Sequence, residues 1–157
     1  MTTEIKIHKL DPFDQKNILK IANWYNDEWN TPIEKTINRL SNQPNADVFF
    51  QLVLSKEDKV ITTGGLCNEV NLLKIHPEFK ALGPWVALLY TDQKHRSQGL
   101  GKALLEQIEY HAHEHNLEKI YLYTFTAEAL YKKSGWTTIA TVKYKNEDTA
   151  VMEKIIK

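Results

Sequence analysis

The chain has 157 residues, of which 42% are hydrophobic and 25% are charged, and its 20 Lys and Arg balance 20 Asp and Glu. This length and composition are typical of one globular domain, so we expect a single domain over residues 1–157. The balanced charge gives no general attraction to nucleic acid or to an anionic membrane, which favours a small-molecule or peptide partner over either.

The N-terminal third predicts one strand followed by two helices. Alternating apolar residues indicate a short strand that ends at Asp11. Asp14 can cap a helix that runs to about Asn26, because its side chain can accept from the free amides of the first turn. Thr31 is the expected cap of a second helix, which should end near Pro44.

The middle of the chain predicts a hairpin, a long connection and a buried strand. Residues 48–54 and 59–66 are rich in β-formers and are joined by a polar turn. Residues 68–84 lack a clear period, and so long a loop in a compact domain often carries function. Residues 85–90 are continuously apolar, which is typical of a strand buried on both faces.

The C-terminal half predicts a helix between two strands, then a short helix and two more strands. These elements are a helix from Gly99 to about Asn116, a strand at 119–125, a short helix ending at Gly135, and strands at 136–142 and 149–156. The strands before and after the long helix need a crossover connection, so they should be parallel. We therefore expect an α/β (α+β) fold with a mixed, mostly antiparallel sheet.

Cysteine usage and the N-terminus bear on location. Cys67 is the only cysteine, which excludes an internal disulfide and fits a small buried hydrophobic residue. Residues 1–4 lead into alternating apolar residues without the pattern of a signal peptide, and no apolar run is long enough to cross a bilayer. A cytoplasmic protein is the expectation.

A glycine turn between the buried strand and the long helix is the most informative segment. Its residues are Arg96, Ser97, Gln98, Gly99, Leu100, Gly101 and Lys102. Glycines let the backbone come close to a ligand, and the free amides at the start of a helix favour an anion, best of all phosphate. Lys102 either adds positive charge to this site or is an ordinary solvated lysine.

Two common phosphate motifs do not fit this turn. A Walker loop needs glycine and Ser or Thr where the chain has Arg96 and Ala103. A dinucleotide-binding fingerprint needs a small residue where Leu104 stands. Hydrolysis of nucleoside triphosphates and dinucleotide binding are therefore disfavoured.

The turn resembles the motif of the GNAT superfamily of N-acetyltransferases, which reads Arg or Gln, two residues, Gly, one residue, then Gly or Ala. Arg96, Gly99 and Gly101 fit it. A second family signature, an aliphatic residue and tyrosine followed by glycine and an aromatic, resembles the segment from Leu130 to Trp136. The resemblance is clear over residues 85–142. It implies the GNAT-like fold, with the parallel strand pair at an acyl-CoA site.

The chain departs from the common family pattern at four positions. Gln93 and Lys94 stand where a proline and an acidic residue are frequent, and Ser97 stands where glycine is common. Thr124 occupies a cofactor-binding position at which many members carry asparagine. None of these changes removes a main-chain phosphate contact.

The resemblance implies that a primary amine attacks the thioester of acetyl-CoA directly, in a ternary complex without an acyl-enzyme. It places the pyrophosphate on the backbone amides of residues 96–102. It pairs the pantetheine arm with the strand at Leu89, Tyr90 and Thr91, where a free amide would polarise the thioester carbonyl. Tyr131 matches the tyrosine that gives a proton to the leaving sulfur; alternatively, it only packs at a helix end.

The base that takes the amine proton is open. Glu28, near the end of the first helix, is the leading candidate and Glu69 the second, although both can be solvated surface carboxylates and a water chain can do the same work. Trp24, Tyr25 and Trp29 either line an acceptor pocket or bury the first helix, and we expect core packing for at least one of them.

No metal site is expected. Three histidines, His111, His113 and His115, lie close in sequence, but only the first and last share a helix face and no HExxH arrangement exists. Two readings compete with an enzyme: an acyl-CoA sensor of the same fold without catalysis, and an interaction module that binds no phosphate. The acceptor amine stays open, and so does a homodimer, which is common in proteins that look like this.

Overall fold

The computed structural model describes residues 4–156 as a seven-stranded sheet with helices on both faces. The strands are β1 (Ile5–Lys9), β2 (Val48–Lys56), β3 (Lys59–Cys67), β4 (Trp85–Thr91), β5 (Lys119–Thr124), β6 (Thr137–Tyr144) and β7 (Glu147–Ile155). The helices are α1 (Gln15–Trp29), α2 (Ile33–Ser41), α3 (Leu72–Ile75), α4 (Leu100–Glu114) and α5 (Glu128–Lys133). Residues 1–3, which entered the expectation about a signal peptide, and Lys157 lie outside the described residues.

The sheet has the order β1-β2-β3-β4-β5-β7-β6. The β4–β5 pair is parallel and all its other neighbouring pairs are antiparallel, as the crossover through α4 predicts. The mixed α/β fold expected from the sequence is therefore confirmed, as is the β2–β3 hairpin.

Each face of the sheet is covered by a different set of helices. Leu104 and Ile108 of α4 are fully buried against the face that carries Leu52 of β2. On the other face, Ile18 and Tyr25 of α1 pack over Val53. The periodic apolar residues of each helix supply these contacts, so burial of apolar surface fixes both layers.

The starts of α1 and α2 differ. Asp14 caps α1 as expected, since its carboxylate accepts from the Asn17 amide at 3.2 Å, and the helix continues three residues past the predicted end at Asn26. The predicted cap of α2 by Thr31 is wrong: Pro32 takes the cap position and no side chain accepts there. The reason lies at the end of α1, where Asn26 Nδ2 donates to the carbonyl of Thr31 at 3.0 Å.

Two further expectations need correction. The connection at 68–84 contains α3 and a 3₁₀ turn (Pro77–Phe79), elements too short for a hydrophobic period to show. Burial of β4 on both faces holds at Trp85, which is 0% exposed, but fails at Ala87 to Leu89, which are half-buried; of these three, Leu89 borders a groove. Cys67 is buried as expected, and burial raises the pKa of its thiol to about 11.

The described residues include no helix both long and apolar enough to cross a bilayer.

Candidate active site

A bulge interrupts β4 just before its end. Thr63 of β3 pairs with Tyr90 and Gly65 pairs with Ala87, so one residue of β3 faces two of β4, Leu88 and Leu89. Leu88 has φ 63°, a left-handed conformation that is a true exception for a bulky residue. The bulge therefore turns the backbone away from regular strand geometry at this point.

The two parallel strands are joined only at their beginning. Within residues 4–156, β4 pairs with β5 at Trp85 opposite Tyr121, and the Tyr121 amide donates to Pro84 O at 3.0 Å. Past Trp85, the edge of β4 toward β5 has no strand partner among the described residues. Such an edge offers backbone donors and acceptors to a ligand with amide groups.

The glycine turn after β4 presents a row of amides. Ser97 (φ 65°) and Gly99 (φ 76°) are both left-handed, and a left-handed residue followed by a helical one, as Gly99 is by Leu100, makes successive N–H groups converge. Along residues 4–156, Ala103 is the first residue after the turn whose amide has a main-chain acceptor, Gly99 O at 3.1 Å. The amides before it lie at the positive end of α4.

No protein atom closes off the space over the two glycines of this turn. A Cβ added at Gly99 would meet nothing within 4 Å, and one at Gly101 would meet only Thr91 Oγ1 at 3.9 Å. The protein itself therefore gives no packing reason for the glycine at position 101. A cradle that a side chain would fill, lined by amides at a helix start, suits a diphosphate such as that of an acyl-CoA.

A groove of about 500 Å³ runs from the bulge to the glycine turn. It is lined by residues of α1, β4, the turn, α4 and α5, namely Glu28, Trp29, Leu89, Tyr90, Thr91, His95, Arg96, Ser97, Gly99, Leu100, Gly101, Lys102 and Leu130. Most of the residues expected at the cofactor site thus lie together. Gln98, Thr124 and Tyr131 are the expected site residues that do not line it.

Thr124 has a local task at the end of β5. Its Oγ1 accepts from the amides of Thr126 (3.3 Å) and Ala127 (3.0 Å), which orders the loop that leads into α5. A short hydroxyl side chain can make this turn as an asparagine does, by accepting from amides two and three residues on.

Tyr131 lies on α5 and is half-buried, with its ring centroid 6.1 Å from that of Trp136. The end of this helix is held in place, because the Trp136 amide donates to Tyr131 O at 3.1 Å and Lys154 Nζ donates to Ser134 O at 2.7 Å. Burial raises the pKa of Tyr131, so its hydroxyl keeps its proton at neutral pH.

The two candidate bases lie in different places. Glu28 Oε1 is 3.9 Å from the Arg96 guanidinium, which also stacks 5.2 Å from the Tyr90 ring. Glu69 lines a separate polar groove, where its main-chain carbonyl accepts from Arg39 at 3.1 Å. Of the two carboxylates, the structure brings only Glu28 to the groove that borders β4.

The three aromatic residues of α1 divide between core and groove. Tyr25 is 1% exposed and belongs to the core, as expected for at least one of them. Trp24 stacks on Tyr90 with ring centroids 5.1 Å apart, whereas Trp29 is 45% exposed and lines the groove.

Two histidines at the end of α4, His111 in the helix and His115 just after it, lie against an aromatic ring. His111 and His115 lie 5.5 and 5.6 Å from the Phe50 ring centroid. Among residues 4–156, no group of three or more His, Cys, Asp or Glu side chains is arranged to hold a metal ion.

Sequence reasoning missed two residues of the groove, His95 and Leu130. His95 is the immediate neighbour of the motif residue Arg96, and Leu130 is itself the aliphatic residue of the second signature. These positions in or next to the motifs were the available signal, but which side chains face the groove depends on the turn at 96–99 and on the orientation of α5.

Comparisons with known proteins agree with this architecture. Residues 18–136 match the model of the acetyltransferase (GNAT) family. Three solved structures that resemble the chain are an acetyltransferase of the GNAT family from Streptococcus pneumoniae (18% identity, 98% of this chain and 100% of that one, TM-score 0.74), the aminoglycoside 6'-N-acetyltransferase from Enterococcus faecium (13%, 97% and 97%, 0.72) and an N-acetyltransferase from Thermoplasma acidophilum in complex with coenzyme A (19%, 97% and 99%, 0.66). At these identities the likeness establishes the fold.

Proposed function

The chain belongs to the acetyltransferase (GNAT) family, and we propose that it transfers the acetyl group of acetyl-CoA to a primary amine of a small molecule or peptide. One observation supports the proposal most strongly. The open space at Gly99 and Gly101, where backbone amides are exposed, lies next to an edge of β4 that has no strand partner in the described residues. A ligand with a diphosphate and an amide-containing arm matches both features, because the diphosphate suits the amides at the glycines and the arm suits the edge of β4.

The residues of the turn and of β4 have separate tasks in this proposal. The amides from Ser97 to Lys102 bind the diphosphate, and Arg96, fixed by its Nε donating to Thr91 O at 2.9 Å, adds positive charge. The open edge of β4 pairs with the arm, which brings the thioester to the bulge. An N–H of the bulge then donates to the thioester carbonyl as negative charge develops there.

Tyr131 is proposed as the general acid. When the amine nitrogen bonds to the carbonyl carbon and the C–S bond breaks, the sulfur leaves with a pair of electrons and needs a proton. A hydroxyl whose pKa burial has raised holds that proton until negative charge appears on the sulfur. Tyr131 does not line the groove, whereas its neighbour Leu130 does. This role therefore requires the Tyr131 hydroxyl to approach the sulfur in the complex.

Glu28 is proposed as the base, because it is the carboxylate at the groove. Glu28→Gln should lower the rate by up to about 10²-fold, most strongly at low pH, where the amine is hardest to deprotonate. The measurement is kcat/KM for the amine against pH. Asp27→Asn, an exposed neighbour outside the groove, is the matched control, and Glu69→Gln tests the other candidate. An unchanged pH profile in Glu28→Gln would remove Glu28 as base.

The proposed function is tested by incubating the protein with acetyl-CoA and a panel of amines, with products read by mass spectrometry and released thiol measured in parallel. The panel should contain aminoglycosides, polyamines, amino acids, peptides with free N-termini and lysine peptides. An acetylated amine supports the proposal. Calorimetric binding of acetyl-CoA without any product would indicate a sensor instead, and no binding would indicate an interaction module.

A further inference from the structure

A buried hydrogen-bond network connects α1, β2 and β3 to the bulge in β4. The Tyr25 hydroxyl donates to Leu88 O at 2.5 Å and accepts from Gln51 Nε2 at 3.1 Å. Gln51 Nε2 also donates to Thr63 Oγ1 at 2.8 Å, and Thr63 Oγ1 donates to Leu52 O at 2.8 Å. Gln51 and Thr63 are 0% exposed, so water does not compete for these bonds.

The other hydrogen bonds of the network determine where the Tyr25 hydroxyl donates its proton. The single proton of Thr63 goes to Leu52 O, so its oxygen accepts from Gln51. The amide nitrogen of Gln51 has two protons, and they go to Thr63 and Tyr25. The Tyr25 hydroxyl therefore gives its own proton to Leu88 O, and burial, which raises the pKa of Tyr25, keeps that proton in place.

The group that Tyr25 holds is the peptide between Leu88 and Leu89. Neither residue has a registered partner on β3 or β5 within the described residues, and Leu88 is left-handed. Because a trans peptide is planar, fixing the Leu88 carbonyl also fixes the Leu89 N–H, which points the opposite way, away from Tyr25. Leu89 is one of the residues that line the groove.

The composition of the network argues for positioning rather than for stability. Gln51 Oε1 is buried and has no hydrogen-bond partner among the described residues, which is costly in a core. Gly65 makes the room, since a Cβ there would collide with Gln51 Oε1. An apolar residue at position 51 would avoid an unsatisfied oxygen, but it would not direct the Tyr25 hydroxyl.

We infer that Tyr25 is a positioning residue whose hydroxyl, aimed by Gln51 and Thr63, turns the Leu88–Leu89 peptide so that Leu89 N–H faces the thioester carbonyl of the bound acyl donor. The inference rests on the proposed acetyl transfer. It predicts that Tyr25 matters for a ligand that has this carbonyl and not for coenzyme A, whose free thiol lacks it.

Tyr25→Phe tests this, because it keeps the ring and removes the hydroxyl. Loss of one well-directed hydrogen bond should weaken acetyl-CoA binding about 3-fold to 10-fold in calorimetry, while coenzyme A affinity stays within roughly 2-fold. Turnover with a responsive amine should fall about 10-fold to 10²-fold, less than for outright removal of a donor from an oxyanion site. The selective loss is the signature, since a merely structural role would affect both ligands alike.

Thr62→Val is the matched control. Thr62 is also 0% exposed, neighbours Thr63 on β3 and has an Oγ1 without a partner in the described part of the chain, but it lies outside the network. It should bind both ligands as the wild type does. If Tyr25→Phe does not fold, Gln51→Leu takes its place and should show the same selective loss at smaller size.

Equal weakening of acetyl-CoA and coenzyme A, or wild-type turnover by folded Tyr25→Phe, would overturn the inference. The proposed function can fail separately. A wild-type protein that acetylates no amine refutes acetyl transfer, but the affinities for acetyl-CoA and coenzyme A still test the positioning role of Tyr25. A wild-type protein that binds neither ligand refutes both.

Discussion

At its first residue β4 is enclosed on every side, whereas four residues later it borders an open groove. Trp85 is 0% exposed, pairs with Tyr121 and belongs to the same hydrophobic cluster as Leu72 of α3. Leu89, in contrast, is half-buried and faces a cavity of about 500 Å³. One strand thus joins a closed end that holds the two halves of the sheet together to an open end that is free to receive a ligand. Substitutions at the closed end should lower stability, and those at the open end should lower binding or turnover.

Tyr131→Phe, next to the groove residue Leu130, should show the largest effect. It keeps the ring that packs on Trp136 and removes the proton meant for the sulfur, so turnover should fall about 10²-fold to 10⁴-fold with acetyl-CoA affinity and thermal unfolding unchanged. Steady-state kinetics with a saturating amine, under conditions where chemistry limits, measure this. Wild-type turnover in the variant would make Tyr131 structural.

The pH profile sharpens the same point. A tyrosine ordinarily titrates near pH 10, and burial raises the pKa of Tyr131 above that ordinary value. The alkaline loss of turnover due to Tyr131 should therefore have its midpoint at a higher pH than the titration of an ordinary tyrosine, and it should be missing from Tyr131→Phe. An alkaline loss that begins at neutral pH and disappears in the variant would contradict the burial of this hydroxyl.

Trp85→Ala at the closed end should instead cause a large loss of stability. Removing a large, fully buried ring leaves a cavity and should lower the free energy of unfolding by about 3–5 kcal/mol. Trp29→Ala, at the rim of the groove and 45% exposed, is the control and should cost much less. Urea unfolding of both variants makes the measurement, and equal losses would break the contrast between the two ends.

Gly101→Asp should weaken acetyl-CoA binding by about 10²-fold, because the carboxylate repels the diphosphate and fills the cradle. The fold should persist, since the nearest atom to an added Cβ is 3.9 Å away. Gly101→Ala adds the Cβ without charge and should show a smaller loss by calorimetry. Gly99→Asp should also weaken binding, but φ 76° at Gly99 adds backbone strain to the result. Unchanged affinity in folded Gly101→Asp would exclude this position for the diphosphate.

Ser97→Gly should produce the smallest change, a gain in stability of at most about 1 kcal/mol, because glycine accepts the left-handed conformation without strain but loses more chain entropy. Gln98 in the same turn is not left-handed, so Gln98→Gly relieves no backbone strain and should be neutral or slightly destabilising. Thermal unfolding of the two variants separates these outcomes. A destabilised Ser97→Gly would mean that the serine side chain itself stabilises the turn.

Local patterns were sufficient to predict much of the fold. The apolar period of α4 and the need for a crossover around it predicted the parallel β4–β5 pair, and the glycines at positions 99 and 101 predicted a turn at the start of α4. These features depend on residues close in sequence. The open end of β4 could not be read in this way, because an apolar strand looks the same whether a neighbour or a groove borders it.

The bulge and its support were beyond sequence reasoning for a related cause. The Tyr25–Leu88 hydrogen bond joins residues 63 positions apart, and the bulge exists only relative to the register of β3. Thr31 failed as a cap because a side chain from the preceding helix engaged its carbonyl. Both features depend on contacts that exist only in the folded protein, which patterns of neighbouring residues do not indicate.

Arg96 has a kinetic consequence. Its guanidinium is fixed from three directions, by Nε donating to Thr91 O at 2.9 Å, by the Tyr90 ring at 5.2 Å and by Glu28 at 3.9 Å. An arginine already held by such contacts gives up less rotamer entropy when an anion arrives than a free arginine does. Association of a diphosphate ligand should therefore be limited by diffusion and charge, with a rate that falls as ionic strength rises.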